Sequence, residues 1–362
     1  MRKVFLSPGK FVIGKDELYH LGEHIRQFGS NALLLAHKDD SDRVQSILDE
    51  TCAKYGVKIV NGSFKGECTY NEVKRAKNMC EKQSYDCIIG LGGGKAIDTA
   101  KCLADQCNLP MLSVPTIVST DAPCSSMAVI YDENHRYVEN YYTKRSPAVV
   151  LIDSQIIANA PERFLVAGIG DAYATYFEAE ACMRVNATNY GQGKSTLAAF
   201  ELAKLCYKTL LENAEMALIA CREHVVTPAL ENVIEANTLL SGIGFESVGL
   251  AAAHCFSTIL FELGAIKAMH GELVAFGVLI QFILENRSPE QIKATLDFYR
   301  KVGLPLCLKD IGIDNNVPDE KWNIASQIAC SPTSTMRNMS ININTDTIKA
   351  VILYADKLAD VY

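Results

Sequence analysis

The stretch Tyr85-Asp-Cys-Ile-Ile-Gly-Leu-Gly-Gly-Gly-Lys-Ala-Ile-Asp98 decides how the chain is read. It opens on a short apolar run, Cys87 to Ile89, of the kind a buried parallel strand shows. Glycines follow at 90, 92, 93 and 94, and the pattern then turns helical, with Ile97, Ala100 and Ala104 spaced i, i+3, i+7. A strand that passes through glycines into a helix N-terminus makes an anion site. Backbone N–H groups are free there, the helix dipole favours negative charge, and a phosphate can approach main chain that carries no Cβ. Lys95 adds a full positive charge at the same place. The bland alternative is a tight turn that binds nothing, which fits three successive glycines poorly because each costs about 1 kcal/mol in a helix. Neither of the two commonest phosphate loops matches. Ile89 stands where G-x-x-x-x-G-K-[ST] needs its first glycine, and Ala96 follows the lysine. Lys95 takes the place of the last glycine of G-x-G-x-x-G.

Outward from this stretch, residues 10–14, 32–36, 57–60 and 111–114 read as strands, and 16–28, 41–55 and 70–83 as helices, with Ser41 as an N-cap. Residues 129–132 and 136–142 read as a hairpin, and 149–153 as a last strand. Such alternation predicts a parallel sheet with helices on both faces, and ligands at the carboxyl ends of its strands, where 92–95 would lie. The hydroxyl-rich segment 115–126, bounded by prolines and carrying Asp121, leaves the same sheet edge. From about Pro161 the composition shifts to Ala, Leu, Glu and Met with helical periods, which places a boundary near 158–161. The expected fold is an N-terminal α/β domain over 1–160, with a Rossmann-like parallel sheet, and an all-α domain over 161–362.

Length and composition narrow the function. The 362 residues are 49% hydrophobic and 21% charged, and the net charge is −7. Mild acidity argues against nucleic acid or an anionic membrane as the partner. No stretch approaches the roughly 20 apolar residues of a membrane span, and none at the N-terminus is apolar enough for a signal peptide. The 13 cysteines are scattered, with no C-x-x-C pair, and read as reduced core thiols of a cytoplasmic protein.

Three polar residues of the helical half stand in apolar or small-residue settings. Asp171 lies in Ala-Gly-Ile-Gly-Asp-Ala, His254 follows three alanines, and His270 precedes Gly271-Glu272. Burying such groups without partners is costly. A single buried histidine is more often hydrogen-bonded than metal-bound, but one acid with two histidines is an N/O set suited to Zn²⁺ with a position left open. On one continuous helix His254 and His270 would stand about 24 Å apart. A shared ion therefore requires the chain to turn between them, with Gly264 as the break.

Together these pieces resemble the glycerol dehydrogenases of the iron-type alcohol dehydrogenase superfamily across nearly the whole chain. The matching motifs are Ser-Pro-Gly-Lys-Phe-Val-Ile-Gly at 7–14, Gly-Gly-Gly-Lys-Ala-Ile-Asp-Thr-Ala at 92–100 and Pro-Thr-Ile-Val-Ser-Thr-Asp-Ala-Pro at 115–123. Ile-Ile-Ala-Asn-Ala-Pro at 156–161, Gly-Ile-Gly-Asp-Ala at 168–172 and His-Gly-Glu at 270–272 match as well. The resemblance implies a dehydroquinate synthase-like fold in which Asp171, His254 and His270 hold a catalytic metal, zinc with iron as the alternative, and Asp121 contacts the substrate. It implies that His37, Gly93, Gly94, Lys95, Asp98, Thr116, Ser119, Ser125, Met127 and Tyr131 line the cofactor site. The implied reaction is oxidation of glycerol or a related small vicinal diol to a hydroxyketone such as dihydroxyacetone, with hydride passing to NAD. Relatives assemble as homo-oligomers.

Departures from the family pattern bear on specificity. The residue after the strand at 32–36 is usually an aspartate that selects NAD; here it is His37, followed by Lys38, which leaves NADP open unless Asp39 or Asp40 substitutes. Thr175 stands where four-ligand relatives carry a histidine, Ser257 where another histidine is common, and Met127 replaces a leucine. The segment 261–269 is shorter than usual. Two other readings stay open: a glycerol-1-phosphate dehydrogenase of the same superfamily, and a nucleotide-binding relative without catalysis.

Overall fold

The computed structural model describes residues 2–314, 317–341 and 343–362. The chain opens with β1 (Phe11–Gly14), α1 (Leu21–Arg26), β2 (Asn31–Ala36), α2 (Lys38–Tyr55), β3 (Lys58–Asn61) and α3 (Tyr70–Lys82). The glycine stretch forms β4 (Cys87–Gly92) and α4 (Gly94–Cys107), followed by β5 (Met111–Pro115). A hairpin of β6 (Met127–Tyr131) and β7 (Tyr137–Tyr142) precedes β8 (Val149–Asp153). Six strands make one parallel sheet in the order β1-β8-β5-β4-β2-β3. Its central strands β2, β4, β5 and β8 are buried almost throughout, because helices cover both faces, and this is why they are apolar runs rather than alternating ones.

Helices then take over: α5 (Ser154–Ala158), α6 (Glu162–Arg184), α7 (Leu197–Arg222), α8 (Pro228–Glu235) and α9 (Ser241–Ser247). They continue with α10 (Ala252–Leu263), α11 (His270–Leu284), α12 (Pro289–Val302), α13 (Asp319–Cys330), α14 (Thr345–Ala355) and α15 (Leu358–Val361). The 13 cysteines are unpaired. Among the described residues no single helix is long and apolar enough to cross a membrane.

Two local expectations need correction. Ser41 does not cap α2. The helix starts three residues earlier, where His37 Nδ1 accepts from the Asp39 N–H at 3.4 Å, and Ser41 Oγ donates to Lys38 O within the first turn. The helix expected over 16–28 is shorter and begins as a 3-10 turn, Glu17–His20. The Asp153 carboxylate explains this, since it accepts from the N–H groups of Asp16 and Leu18 and so holds the entry to that turn. The same carboxylate accepts from Gln155 and Ile156 at the start of α5. One acid thus ties the end of β8 to the 3-10 turn after β1 and to the first turn of α5.

The contact that joins the sheet edge to the helices depends on small residues. A Cβ on Gly168 of α6 would stand 1.9 Å from Val118 O, in the loop that follows β5, and 2.4 Å from Asn237 Nδ2. Asn237 lies in a π-helical turn, Ala236–Leu240, and its Nδ2 donates to both Val118 O and Leu165 O at 3.3 Å. Replacing Gly168 by alanine should therefore force this loop off α6 and cost about 1–3 kcal/mol by overpacking. Thermal unfolding of the variant should show a lowered midpoint; an unchanged midpoint would contradict the packing.

Candidate active site

The site grows from one stripe of α6. Gly168, Asp171, Thr175 and Glu178 recur at three- and four-residue steps and so share a face of the helix. Asp171 is 1% exposed. Its Oδ2 accepts, at 3.4 Å, from the N–H of Asp121 in the loop after β5. Its Oδ1 makes no hydrogen bond, and among the described residues it is the one carboxylate oxygen buried in that state. Instead it faces two imidazole nitrogens, His254 Nε2 at 3.3 Å and His270 Nε2 at 3.6 Å.

Each histidine sits at the start of a helix that packs on α6. His254 is in the first turn of α10 and His270 is the first residue of α11. The two helices are separated by a break at Gly264, where φ is 135°. Gly271 brings His270 into place, because a Cβ there would stand 1.8 Å from Ala167 O on α6. His254 is held by Glu178, a fully buried acid that the sequence reading missed. Glu178 Oε1 accepts from the N–H groups of Ala251 and His254 at 2.8 and 2.9 Å, capping α10 from a neighbouring helix. Glu178 Oε2 accepts from His254 Nδ1–H at 2.5 Å, which fixes a proton on Nδ1 and aims Nε2 at Asp171. The available signal was positional: Glu178 lies seven residues after Asp171 on the same face of an apolar helix.

Electrostatics follow from this layout. Burial opposes ionisation of Asp171, but His270 and His254 outweigh it and hold the carboxyl below its usual range. Burial likewise opposes a charge on His254, and Glu178 with Asp171 outweighs it in the other direction. Asp121 is pushed up to about 8, first by burial and then by the Asp171 charge. Its Oδ2 accepts from Ser241 Oγ at 2.7 Å, and Ser241 in turn meets Thr175 Oγ1 at 2.8 Å.

The trio fits a divalent ion. Its three ligand atoms lie within 4.8 Å of one another. Two ligands about 2.1 Å from a tetrahedral ion stand about 3.4 Å apart, and the observed 3.3 and 3.6 Å bracket that separation. His270 is 48% exposed in its side chain, so the cluster opens to solvent on that side.

The glycine loop adjoins this cluster. Gly93 is the N-cap of α4 and no side chain caps the helix, which leaves its first turn for an anion. Cβ positions on Gly94 would meet Thr120 Oγ1 and Ala122 Cβ at 3.6 Å, on either side of Asp121. Thr116 N donates to Gly92 O at 3.0 Å, so the hydroxyl-rich segment starts against the loop, with Ser119 half-buried further along it. Lys95 Nζ lies 2.6 Å from Glu67 Oε2 and 5.5 Å from the centre of the Tyr131 ring. Asp98 is engaged within the fold: its oxygens accept from Lys101 Nζ at 3.0 Å and Val129 N at 2.9 Å. Lys101, buried and also missed, donates to Ser125 Oγ at 3.1 Å and Met127 O at 2.6 Å, fixing two positions of the same segment. A lysine inside the apolar run Ala100 to Ala104 was its signal.

The role of Glu178 is open to test with an isosteric variant. In Glu178→Gln the amide can still accept from the α10 N–H groups, but its NH₂ would donate to His254 Nδ1 and move the imidazole proton to Nε2, the ligand atom. Divalent-metal affinity, measured by chelator competition on the metal-stripped protein, should fall about 10–100-fold with the circular dichroism spectrum retained. Wild-type affinity would show that Glu178 only packs.

Comparison with known proteins gives the family. The iron-containing alcohol dehydrogenase family matches residues 8–154. The chain is 43% identical over 358 residues to the glycerol dehydrogenase of Escherichia coli O6:H1, covering 99% of this chain and 97% of that one. It is 38% identical over 360 residues to the glycolaldehyde reductase of Halobacterium salinarum, covering 99% and 98% of the two chains. The crystal structure of a probable glycerol dehydrogenase from Sinorhizobium meliloti 1021 superposes with a TM-score of 0.93 at 37% identity, over 100% of both chains. A buried acid with two histidines beside an uncapped glycine turn, on a fold shared from end to end, places the chain: it belongs to the glycerol dehydrogenases of the iron-containing alcohol dehydrogenase family, and is an oxidoreductase of the nicotinamide-dependent alcohol dehydrogenase kind.

Proposed function

We propose that the protein oxidises a small vicinal diol, glycerol first among them, to the corresponding hydroxyketone, using NAD and one divalent ion, zinc by its donor set. The observation that carries this reading is Asp171 Oδ1, a buried carboxylate oxygen without a hydrogen bond that faces two imidazole nitrogens. An ion bound there supplies Lewis acidity that eases loss of a hydroxyl proton, and the nicotinamide supplies the hydride acceptor.

The chain's own residues do the positioning. Glu178 orients His254, and Gly271 delivers His270. Asp121 is anchored through one oxygen by Ser241, and its other oxygen can receive a substrate hydroxyl. The first turn of α4 and Lys95 would receive the cofactor phosphates next to this point. The segment 116–126 starts against the glycine loop at Thr116 and meets Asp171 at Asp121, so a cofactor held at the loop would lie beside the cluster, the proximity that hydride transfer requires. The open side of the cluster and the free oxygen of Asp121 offer partners for two neighbouring substrate oxygens, so a diol should be preferred over a simple alcohol; a small hydroxyaldehyde has the same feature.

Steady-state rates with glycerol, ethane-1,2-diol, propane-1,2-diol and 1-propanol, using the metal-loaded protein and NAD, test the substrate class. The diols should exceed 1-propanol in kcat/KM. His254→Ala should lose turnover by on the order of 10³-fold or more while NAD binding persists. Lys95→Ala should weaken NAD binding with metal content unchanged. Wild-type turnover in both variants, or an equal rate for the mono-alcohol, would contradict the reading.

A further inference from the structure

We propose that Asp40, in the first turn of α2, reads the ribose hydroxyls at the adenosine end of the cofactor and thereby selects NAD over NADP. The inference rests on the cofactor site proposed above. It starts from the position that ordinarily carries the selecting acid, directly after the strand that neighbours β4. Ala36 pairs with Leu91 at the carboxyl edge of the sheet, so the next residue, His37, stands at that position. Its imidazole is occupied in capping α2 through Nδ1. Asp39 does not replace it: its side chain is 88% exposed and lies 3.6 Å from His37.

Asp40 is placed differently. Its side chain is only 20% exposed. Oδ1 accepts from Thr116 Oγ1 at 3.3 Å, and Oδ2 stands 3.2 Å from where a Cβ on Gly92 would be. The carboxylate therefore leans over the last residue of β4, between the strand end and the segment that follows β5. A carboxylate there can accept from two ribose hydroxyls but repels a third phosphate group, so it acts both for one cofactor and against the other.

The nearby cations do not reverse this. Arg43 is paired with Asp40 itself, and Lys38 is paired with Asp42. The positive residues that would favour a 2′-phosphate are thus neutralised by the acids of the same helical turn. Removing the Asp40 charge should release Arg43 toward the cofactor.

Calorimetric titration of NAD⁺ and NADP⁺ into the purified full chain tests the assignment without reference to turnover. The wild type should bind NAD⁺ at least about tenfold more tightly than NADP⁺. Asp40→Asn should weaken NAD⁺ about tenfold and strengthen NADP⁺, and a further Arg43→Ala change should remove the NADP⁺ gain. An affinity ratio in Asp40→Asn equal to that of the wild type, with the fold intact by circular dichroism, would overturn the role of Asp40 and leave the cofactor site standing. Absence of binding by either dinucleotide to the wild type would overturn the cofactor site and this inference with it.

Discussion

A buried carboxylate without a full set of partners is the constraint around which this molecule is arranged. Asp171 lies in the largely apolar middle of a long helix, and its charge is opposed by burial and upheld by two histidines. Each partner comes from a separate element: the N–H of Asp121 from the loop after β5, His254 from α10 and His270 from α11. Leaving such a group unpartnered would cost several kcal/mol, so these elements cannot drift independently. Glu178 extends the same logic by holding both the backbone and the ring of His254.

The constraint also explains why the two halves of the chain meet where they do. Gly168 lets α6 touch Val118 O, and Asn237 bonds the same carbonyl from a third element. The loop after β5 is thereby pressed onto the helix that carries Asp171, and Asp121 is carried to within hydrogen-bonding distance of it. That loop begins against Gly92 and passes the first turn of α4. The uncapped glycine turn of the sheet and the acid–histidine cluster of the helices become neighbours through the single segment that follows β5. The proposed cofactor and metal sites are therefore separate in sequence and adjacent in space, as hydride transfer demands.

Much of this was legible in the sequence, for physical reasons that can be named. Strands β2, β4, β5 and β8 are buried on both faces and announce themselves as short apolar runs, and the glycine turn marks itself by composition. Asp171, His254 and His270 stood out because polar groups among alanines and glycines need a reason to be there. Glu178 and Lys101 were not seen. Both are long, charged side chains on helices, where the usual reading is a solvated face, and only tertiary packing shows that they point inward. The start of α2 was misplaced because Ser41 is a better capping residue than His37, yet the sheet edge sets where the helix begins. The direction of Asp40 also waited for the structure, since Asp39, Asp40 and Asp42 look alike in sequence and only Asp40 turns toward Gly92.

The central claim is that the orphaned oxygen of Asp171 and the two facing nitrogens hold one divalent ion. Anomalous diffraction from crystals of the zinc-loaded protein, recorded on either side of the zinc edge, tests it directly. The account predicts a single strong peak about 2.0–2.2 Å from Asp171 Oδ1, His254 Nε2 and His270 Nε2. An active protein whose anomalous map shows no peak there, or whose ion lies away from these three atoms, would contradict it.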